Sequence, residues 1–221
     1  MTGPYAQPTF VVDGNRLTLL DTGPRRLAAL LALIEGATAT LRILYYIYAD
    51  DESGRRVNAA LAAAARRVVA VTLVIDGFGS DDADEAFFDP LRAAGVTVAR
   101  FSARFGRRYL LRNHQKLALA DAGTPDARII IGGFNIEDDY FGTPAQQAWR
   151  DLGLLLEGAA ASRIAPYFDA LVAQIGGRGA RVMSLNRALA QFSERHGRLR
   201  WLIGGPTRHL SPWAKALRDD M

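Results

Sequence analysis

The chain has 221 residues, of which 49% are apolar and 23% charged, and it contains no cysteine. This predicts one large or two small domains with a real core, and it excludes collagen-like, disordered, disulfide-stabilised and Cys-ligated zinc proteins. The net charge of +4 permits an anionic partner without requiring one. The most apolar stretch, 27–49, is interrupted by Glu35 and Arg42, and residues 1–15 lack a signal-peptide pattern. We therefore expect a soluble, cytoplasmic chain.

Strand and helix patterns alternate along the sequence. Two short strands, 9–13 and 16–20, are predicted to form a hairpin that turns at Gly14-Asn15. Helices are predicted over 24–37, 54–67, 84–94 and 160–175. Further strands are predicted over 41–49, 68–76, 96–101, 114–121, 127–131 and 148–157. Because the late strands follow one another without helices, we expect an α/β fold with a mixed sheet flanked by helices.

The end of the chain repeats part of its beginning. At an offset of 182, seven of 17 positions in 16–32 match 198–214, including the pairs Gly23-Pro24 and Gly205-Pro206. Duplication predicts a first domain over 1–196 and the start of a second, truncated copy over 197–221. The alternative is coincidence.

One segment carries a set of residues suited to phosphate chemistry. His114 and Lys116 are two positions apart on a predicted strand, so their side chains share a face. The next strand runs into Gly132-Gly133, whose backbone N–H groups are open to a ligand, and Asn135 adds an amide donor. A histidine, a fixed positive charge and neutral donors suit a tetrahedral phosphate and its transition state without a metal. Only two of the 27 basic residues are lysine, so Lys116 marks a position where arginine would not serve.

This pattern resembles the signature of the phospholipase D superfamily, His-x-Lys, four residues, Asp, and then Gly-Ser/Gly-x-Asn. The resemblance covers about residues 24–175, and its flanks at 45–47, 75–76 and 149–151 are similar to the bacterial cardiolipin synthase branch. It implies an α-β-α sandwich that is one half of a usually duplicated unit, because family enzymes use two motifs, in one chain or across a homodimer. Two departures are the ten residues between Asp121 and Gly132, and Gly133 in place of a common serine.

The resemblance implies covalent catalysis through a phosphohistidine, with no metal and no cofactor. One of the paired histidines attacks phosphorus and the other protonates the leaving alcohol; His114 supplies one of them. Lys116 and Asn135 would hold the non-bridging oxygens, with Asp121, Gly132 and Gly133 in support. A carboxylate usually orients the histidine ring. Asp151 is the best match, and the alternatives are Glu137, Asp138 and Asp139.

Three further features stand near this motif. Tyr46 is a candidate pocket residue. Arg108 and Arg112 belong to an arginine-rich stretch, 100–112, that is either a rim for anionic headgroups or nucleic acid or a solvated loop. The loop 76–80 contains two glycines but lacks the third of a dinucleotide motif, which favours an ordinary strand-to-helix turn.

Three functions remain open at this point. The first is phosphatidyl transfer between glycerophospholipids, as in cardiolipin synthesis. It would need a phospholipid substrate, a second half or a homodimer partner, and peripheral contact with the inner membrane. The second is a homodimeric nuclease, which the modest charge disfavours. The third is an incomplete half-domain that only binds phosphate or lipid headgroups.

Overall fold

The computed structural model describes residues 7–101, 114–176, 185–204 and 212–220. Its strands form one eight-stranded sheet in the order β1-β2-β8-β7-β6-β3-β4-β5. The strands are β1 (Thr9–Val12), β2 (Asn15–Leu20), β3 (Thr40–Tyr45), β4 (Ala70–Asp76), β5 (Thr97–Phe101), β6 (Leu117–Ala120), β7 (Arg128–Gly132) and β8 (Gly153–Glu157). The helices are α1 (Gly23–Glu35), α2 (Glu52–Arg66), α3 (Glu85–Ala93), α4 (Asp138–Phe141), α5 (Ala159–Ser162), α6 (Ala165–Ile175), α7 (Leu185–Phe192) and α8 (Pro212–Asp220). Strands β3, β4 and β5 are parallel and the other neighbours are antiparallel, which confirms the mixed sheet.

The sheet separates two hydrophobic cores. Leu30 of α1, Leu61 of α2 and Phe88 of α3 are buried on one face, with the strand residue Ile43. The next residue along that strand, Leu44, points to the other face and belongs to the core that α5, α6 and α7 cover. The central strands are therefore buried on both sides, which confirms the predicted sandwich.

Local sequence chemistry sets several of these boundaries. The β1–β2 turn lies at Asp13-Gly14, with φ of 48° and 75°, one residue before the predicted position. Both residues take the left-handed conformation that a two-residue hairpin turn requires. Asp51 caps α2 by accepting a hydrogen bond from Gly54 N at 2.8 Å. The helix predicted over 160–175 is two helices, because Pro166 opens α6 and cannot continue α5.

Two predicted strands begin later than the sequence pattern indicates. Strand β6 starts at Leu117 rather than His114, because its pairing with β3 stops at Leu44 and Leu117, one residue before the end of β3. Strand β8 starts at Gly153, which pairs with Gly132 and Leu20, rather than at 148. The segments that precede β6 and β8 lie at the same end of the sheet.

The segment near the C-terminus packs against the second core. Leu199 and Trp201 lie on it, and Trp201 Nε1 donates to the carbonyl of Ala160 at 2.8 Å. Gly205 and Pro206 lie outside the described residues, so the truncated copy over 197–221 stays a prediction. Within the described ranges, no helix has both the length and the apolar character that crossing a bilayer needs.

Candidate active site

The candidate residues gather where the three parallel strands end. Tyr46 follows β3, and His114 and Lys116 precede the antiparallel strand β6. Asn135 follows β7 and Asp151 precedes β8, which reach the same end of the sheet. In an open α/β sheet, the carboxyl ends of the parallel strands are the usual place for a ligand site. The topology thus brings four separate chain segments together.

His114 and Lys116 are in direct contact. Lys116 Nζ lies 2.9 Å from His114 Nδ1 and 3.3 Å from Nε2, and it donates to the His114 carbonyl at 2.9 Å. The ring of Tyr46 packs on the imidazole with centroids 4.5 Å apart, and Lys116 Nζ lies 5.2 Å from the Tyr46 ring centroid. Lys116 is only 7% exposed, so its charge sits in a largely dehydrated pocket. The structure therefore brings the predicted Tyr46, His114 and Lys116 together.

Burial and neighbouring charges change the acidity of this pair. Burial lowers the pKa of Lys116 to about 8, although the negative charges of Asp151 and Asp76 act in the opposite direction. Burial also lowers the pKa of His114, the charge of Lys116 lowers it further, and Asp76 opposes this effect. An ammonium group can only donate, so a charged Lys116 favours a neutral imidazole with an unprotonated nitrogen beside Nζ. A neutral imidazole is the nucleophilic form of histidine.

Asp76 lies near the site, although the sequence analysis named it only as part of a flank that resembles the family and not as a site residue. It is the last residue of β4 and is 2% exposed, and its Oδ1 accepts hydrogen bonds from Phe78 N at 2.9 Å and Gly79 N at 3.1 Å. The loop 76–80 is thus a tight strand-to-helix turn, which agrees with the favoured interpretation of its glycines. Asp76 acts on His114 and Lys116 through its charge. The sequence feature that could have identified it is a carboxylate at the end of a parallel strand.

Asn135 is oriented by the backbone of the segment after β3. Its Oδ1 accepts a hydrogen bond from Ile47 N at 3.1 Å, which turns the amide NH₂ end of the buried side chain away from Ile47. Phe134 fills the space beside Gly132, where an added Cβ would lie 2.7 Å from the Phe134 ring. The predicted Gly132 therefore has a packing role, and the predicted Asn135 lies at the end of the sheet that carries Tyr46.

Asp151 lies against Gly133. A Cβ on Gly133 would lie 2.6 Å and 2.8 Å from the two carboxylate oxygens of Asp151, so glycine leaves the space that this carboxylate occupies. Asp151 Oδ1 also accepts from Leu152 N at 2.6 Å. The polar contacts of the His114 ring in the described structure are with Lys116, and Asp151 acts on Lys116 by charge. A role for Asp151 in orienting the His114 ring stays a prediction.

The alternatives to Asp151 for orienting the His114 ring either bond to other parts of the chain or do not act on His114. Asp138 accepts from Ser53 N at 2.8 Å and Glu52 N at 3.3 Å, so it caps the start of α2. Burial raises the pKa of Glu137, and the charge of Asp139 raises it further. Neither Glu137 nor Asp138 is among the charges that act on His114.

Asp121 lies at the opposite end of β6 from the site. The four residues of β6 separate it from Lys116, and the five steps between the two residues correspond to about 17 Å of extended chain. Its carboxylate accepts hydrogen bonds from the backbone N–H groups of Thr38, Ala39 and Thr40 at 2.7–3.1 Å. Burial favours the neutral acid, but these hydrogen bonds outweigh it and hold the pKa of Asp121 below its usual value. In the described structure its carboxylate fixes the backbone at the start of β3, and a supporting role at the site stays a prediction.

Some predicted residues are not brought to the site by the described structure. Arg108 and Arg112 lie outside the described residues. The sequence presents the other two histidines, His196 and His209, as isolated surface residues, and His209 also lies outside the described residues. His196 is exposed and lies two residues from Arg198, which pairs with Asp13 in the β1–β2 turn at the opposite end of the sheet. Among the described residues, His114 is therefore the one histidine at this site.

The His-Lys pair thus lies at the same end of the sheet as Asn135 and the Gly132-Gly133 turn. Residues 30–172 match the family described as "Cardiolipin synthase, PLD-like domain", and the chain belongs to this family. It is 33% identical over 161 residues to cardiolipin synthase 1 of Bacillus cereus. The matched part is 71% of this chain and 31% of that protein, so the chain spans about a third of such relatives.

Solved structures agree on the fold. Phosphatidylserine synthase of Haemophilus influenzae superimposes with a TM-score of 0.57 and 13% identity, over 71% of this chain and 36% of that one. Nuc, a phospholipase D family member from Salmonella typhimurium, superimposes with a TM-score of 0.51 and 17% identity, over 70% of this chain and 92% of that one. At these identities the likeness establishes the fold alone.

Proposed function

We propose that this domain supplies one half of a phosphodiester-transfer site and that the reaction is phosphatidyl transfer between glycerophospholipids. The observation that carries the proposal is the contact between the buried Lys116 Nζ and the ring of His114, a residue exposed to solvent, because it pairs a neutral imidazole with a positive charge. Similarity to cardiolipin synthases supports phospholipids as the substrate class. The same similarity supports a location at a membrane surface.

In the proposed first step, an imidazole nitrogen attacks phosphorus and the bond from phosphorus to the leaving alcohol oxygen breaks. When a phosphodiester enters, its non-bridging oxygens would draw the Lys116 ammonium away from the His114 ring, which frees a nitrogen lone pair. Lys116 and the NH₂ end of Asn135 would then stabilise the charge that develops on those oxygens. The product is a phosphohistidine, and the leaving oxygen takes a proton from a second histidine. That second histidine then removes a proton from the acceptor alcohol, whose oxygen displaces the imidazole.

The second histidine must come from another copy of the motif. We propose either a homodimer or a second half, which the repeat beginning at residue 197 suggests. The match to 92% of the Nuc chain supports a family member made of one such domain. Light scattering on a sizing column separates the two: a dimer near twice 24.0 kDa supports the homodimer, and a monomer at every concentration contradicts it.

The catalytic proposal is tested by phosphatidyl transfer from phosphatidylglycerol in mixed vesicles. His114→Ala and Lys116→Ala should abolish turnover, whereas the matched variants His196→Ala and Lys215→Ala should keep it. Vesicle co-sedimentation of the same proteins separates loss of chemistry from loss of membrane binding. Full turnover in the His114→Ala or Lys116→Ala protein would contradict the proposal, and so would an inactive wild-type dimer in the same vesicles.

A further inference from the structure

Arg26 is a buried arginine in the first turn of α1, far in sequence from the motif. It is 1% exposed, and its guanidinium donates to three backbone carbonyls. The bond to the Tyr140 carbonyl is 2.7 Å from Nη2, the bond to Trp149 is 3.3 Å, and Nη1 donates to the carbonyl of Asp151. Burying a guanidinium is costly unless its donors are paired, and here neutral carbonyls pair them.

These carbonyls belong to the connection between α4 and β8. Residues 148–152 lack a strand partner, and Trp149 N donates to the Asp139 carbonyl at 2.7 Å. On its other side, the guanidinium carbon of Arg26 lies 5.8 Å from the centre of the Phe134 ring. Phe134 directly precedes Asn135. Arg26 therefore joins the segment that carries Asp151 to the segment that carries Gly133 and Asn135.

We propose that Arg26 is a positioning residue that holds the Asp151 carboxylate over Gly133 by fastening the carbonyls of Tyr140, Trp149 and Asp151. The planar fork of an arginine reaches several acceptors at once, which a lysine ammonium or a shorter amide cannot do in the same space. The carboxylate position needs such a restraint, because the missing Cβ of Gly133 leaves the space open and residues 148–152 are not held in a strand.

The position of Asp151 can be read without any enzymatic assay. Asp151 and Asp76 both oppose the fall in the Lys116 pKa, and His114 and Tyr46 are the other groups against the ammonium. If Asp151 moves away, Lys116 loses a favourable charge and its pKa falls further. The chain has two lysines, so a protein labelled with ¹³C at lysine Cε gives two signals, and Lys215→Arg assigns them.

The test compares Arg26→Gln with the control Arg67→Gln. Arg67 donates to the carbonyls of Ile34 and Glu35 at the other end of α1, so its loss perturbs the same helix away from the site. We expect the Lys116 signal to titrate lower by about half a pH unit or more in Arg26→Gln, and not to move in Arg67→Gln. Asp151→Asn removes the carboxylate charge completely, so it gives the direction and the largest expected size of the fall in the Lys116 pKa. Amide hydrogen exchange in 140–152 should accelerate in Arg26→Gln alone.

If Arg26→Gln does not fold, Arg26→Lys keeps the charge while it loses the fork, and its added lysine signal is identified by difference. A folded variant of Arg26 with unchanged Lys116 titration and unchanged exchange in 140–152 would overturn the positioning role. The inference rests on the proposed function only for its meaning in catalysis. A shifted Lys116 signal in a protein whose wild type lacks phosphatidyl transfer would uphold the role of Arg26 and reject the proposed function.

Discussion

The signature aspartate, Asp121, can be tested as an architectural residue by the substitution Asp121→Asn. Oδ1 accepts from Thr38 N, Ala39 N and Thr40 N, and Oδ2 accepts from Thr38 N at 3.0 Å and the Thr38 hydroxyl at 3.3 Å. Asparagine keeps the oxygen at Oδ1 but places an NH₂ group where Oδ2 faces two donors. Its backbone φ of 52° is left-handed, a conformation that asparagine tolerates well, so the change adds little backbone strain.

The size of the effect follows from these contacts. Hydrogen bonds to a charged group contribute about 1.5–3 kcal/mol each, neutral ones about 1, and a buried donor without a partner costs about 1–3. The Thr38 hydroxyl can rotate and accept from the new NH₂ group, but Thr38 N cannot. Loss of the charge and this one donor-to-donor clash therefore lower the free energy of unfolding by about 3 kcal/mol. That is a large part of the roughly 5–15 kcal/mol that stabilises a domain.

Urea unfolding at several pH values measures this loss, with Asp126→Asn in the same turn as the matched control. Since the pKa of Asp121 is lowered in the folded chain, its stabilising effect is complete above about pH 4, the unfolded value, and is lost as pH falls through the folded value. The difference in the free energy of unfolding between wild type and Asp121→Asn should therefore shrink in acid. The pKa of Lys116 should be the same in both proteins. A loss below about 1 kcal/mol at pH 7, or a gap that widens in acid, would refute the reasoning.

Three other predictions concern the site itself. Gly133→Ala should displace the Asp151 carboxylate, which lies 2.6–2.8 Å from the added Cβ, and lower the Lys116 pKa; an unchanged lysine titration would contradict this. Asp76→Asn should lower the pKa of both His114 and Lys116, because it removes a negative charge that raises them; NMR titration checks both groups. Because the Lys116 pKa is about 8, affinity for inorganic phosphate should fall between pH 7 and pH 9 in calorimetry, and a Lys116→Met protein should lack this decline.

Much of the fold could be predicted from the sequence because its strands are buried on both faces. The run that forms β4, Ala70–Asp76, is almost continuously apolar, and the late strands follow each other without helices, so the mixed sheet was accessible. The ends of the strands could not be predicted in the same way. Residues 114–116 and 148–152 have extended or apolar patterns, but a strand stops where its partner stops, and the partner is a property of the three-dimensional topology.

The site was predictable as far as a local motif records it. His114, Lys116, Gly133 and Asn135 stand within a short stretch of sequence, and the structure gathers them at one end of the sheet. The motif does not include residues that distant segments of the chain contribute to the site. Asp76 acts through charge from the end of another strand, and Arg26 acts through carbonyl groups, which every residue possesses and no sequence pattern marks.

The spacing of the motif therefore combines two physical requirements. His114 and Lys116 lie just before β6, beyond the last pair of residues that joins β6 to β3. Asp121 lies just after β6, where its carboxylate fixes the turn that starts β3. The interval between them is the length of one short strand that spans the sheet from the site to its opposite end. A chain could thus keep the aspartate, and with it the fold, after losing the histidine, whereas loss of the aspartate would weaken the strand on which the histidine depends.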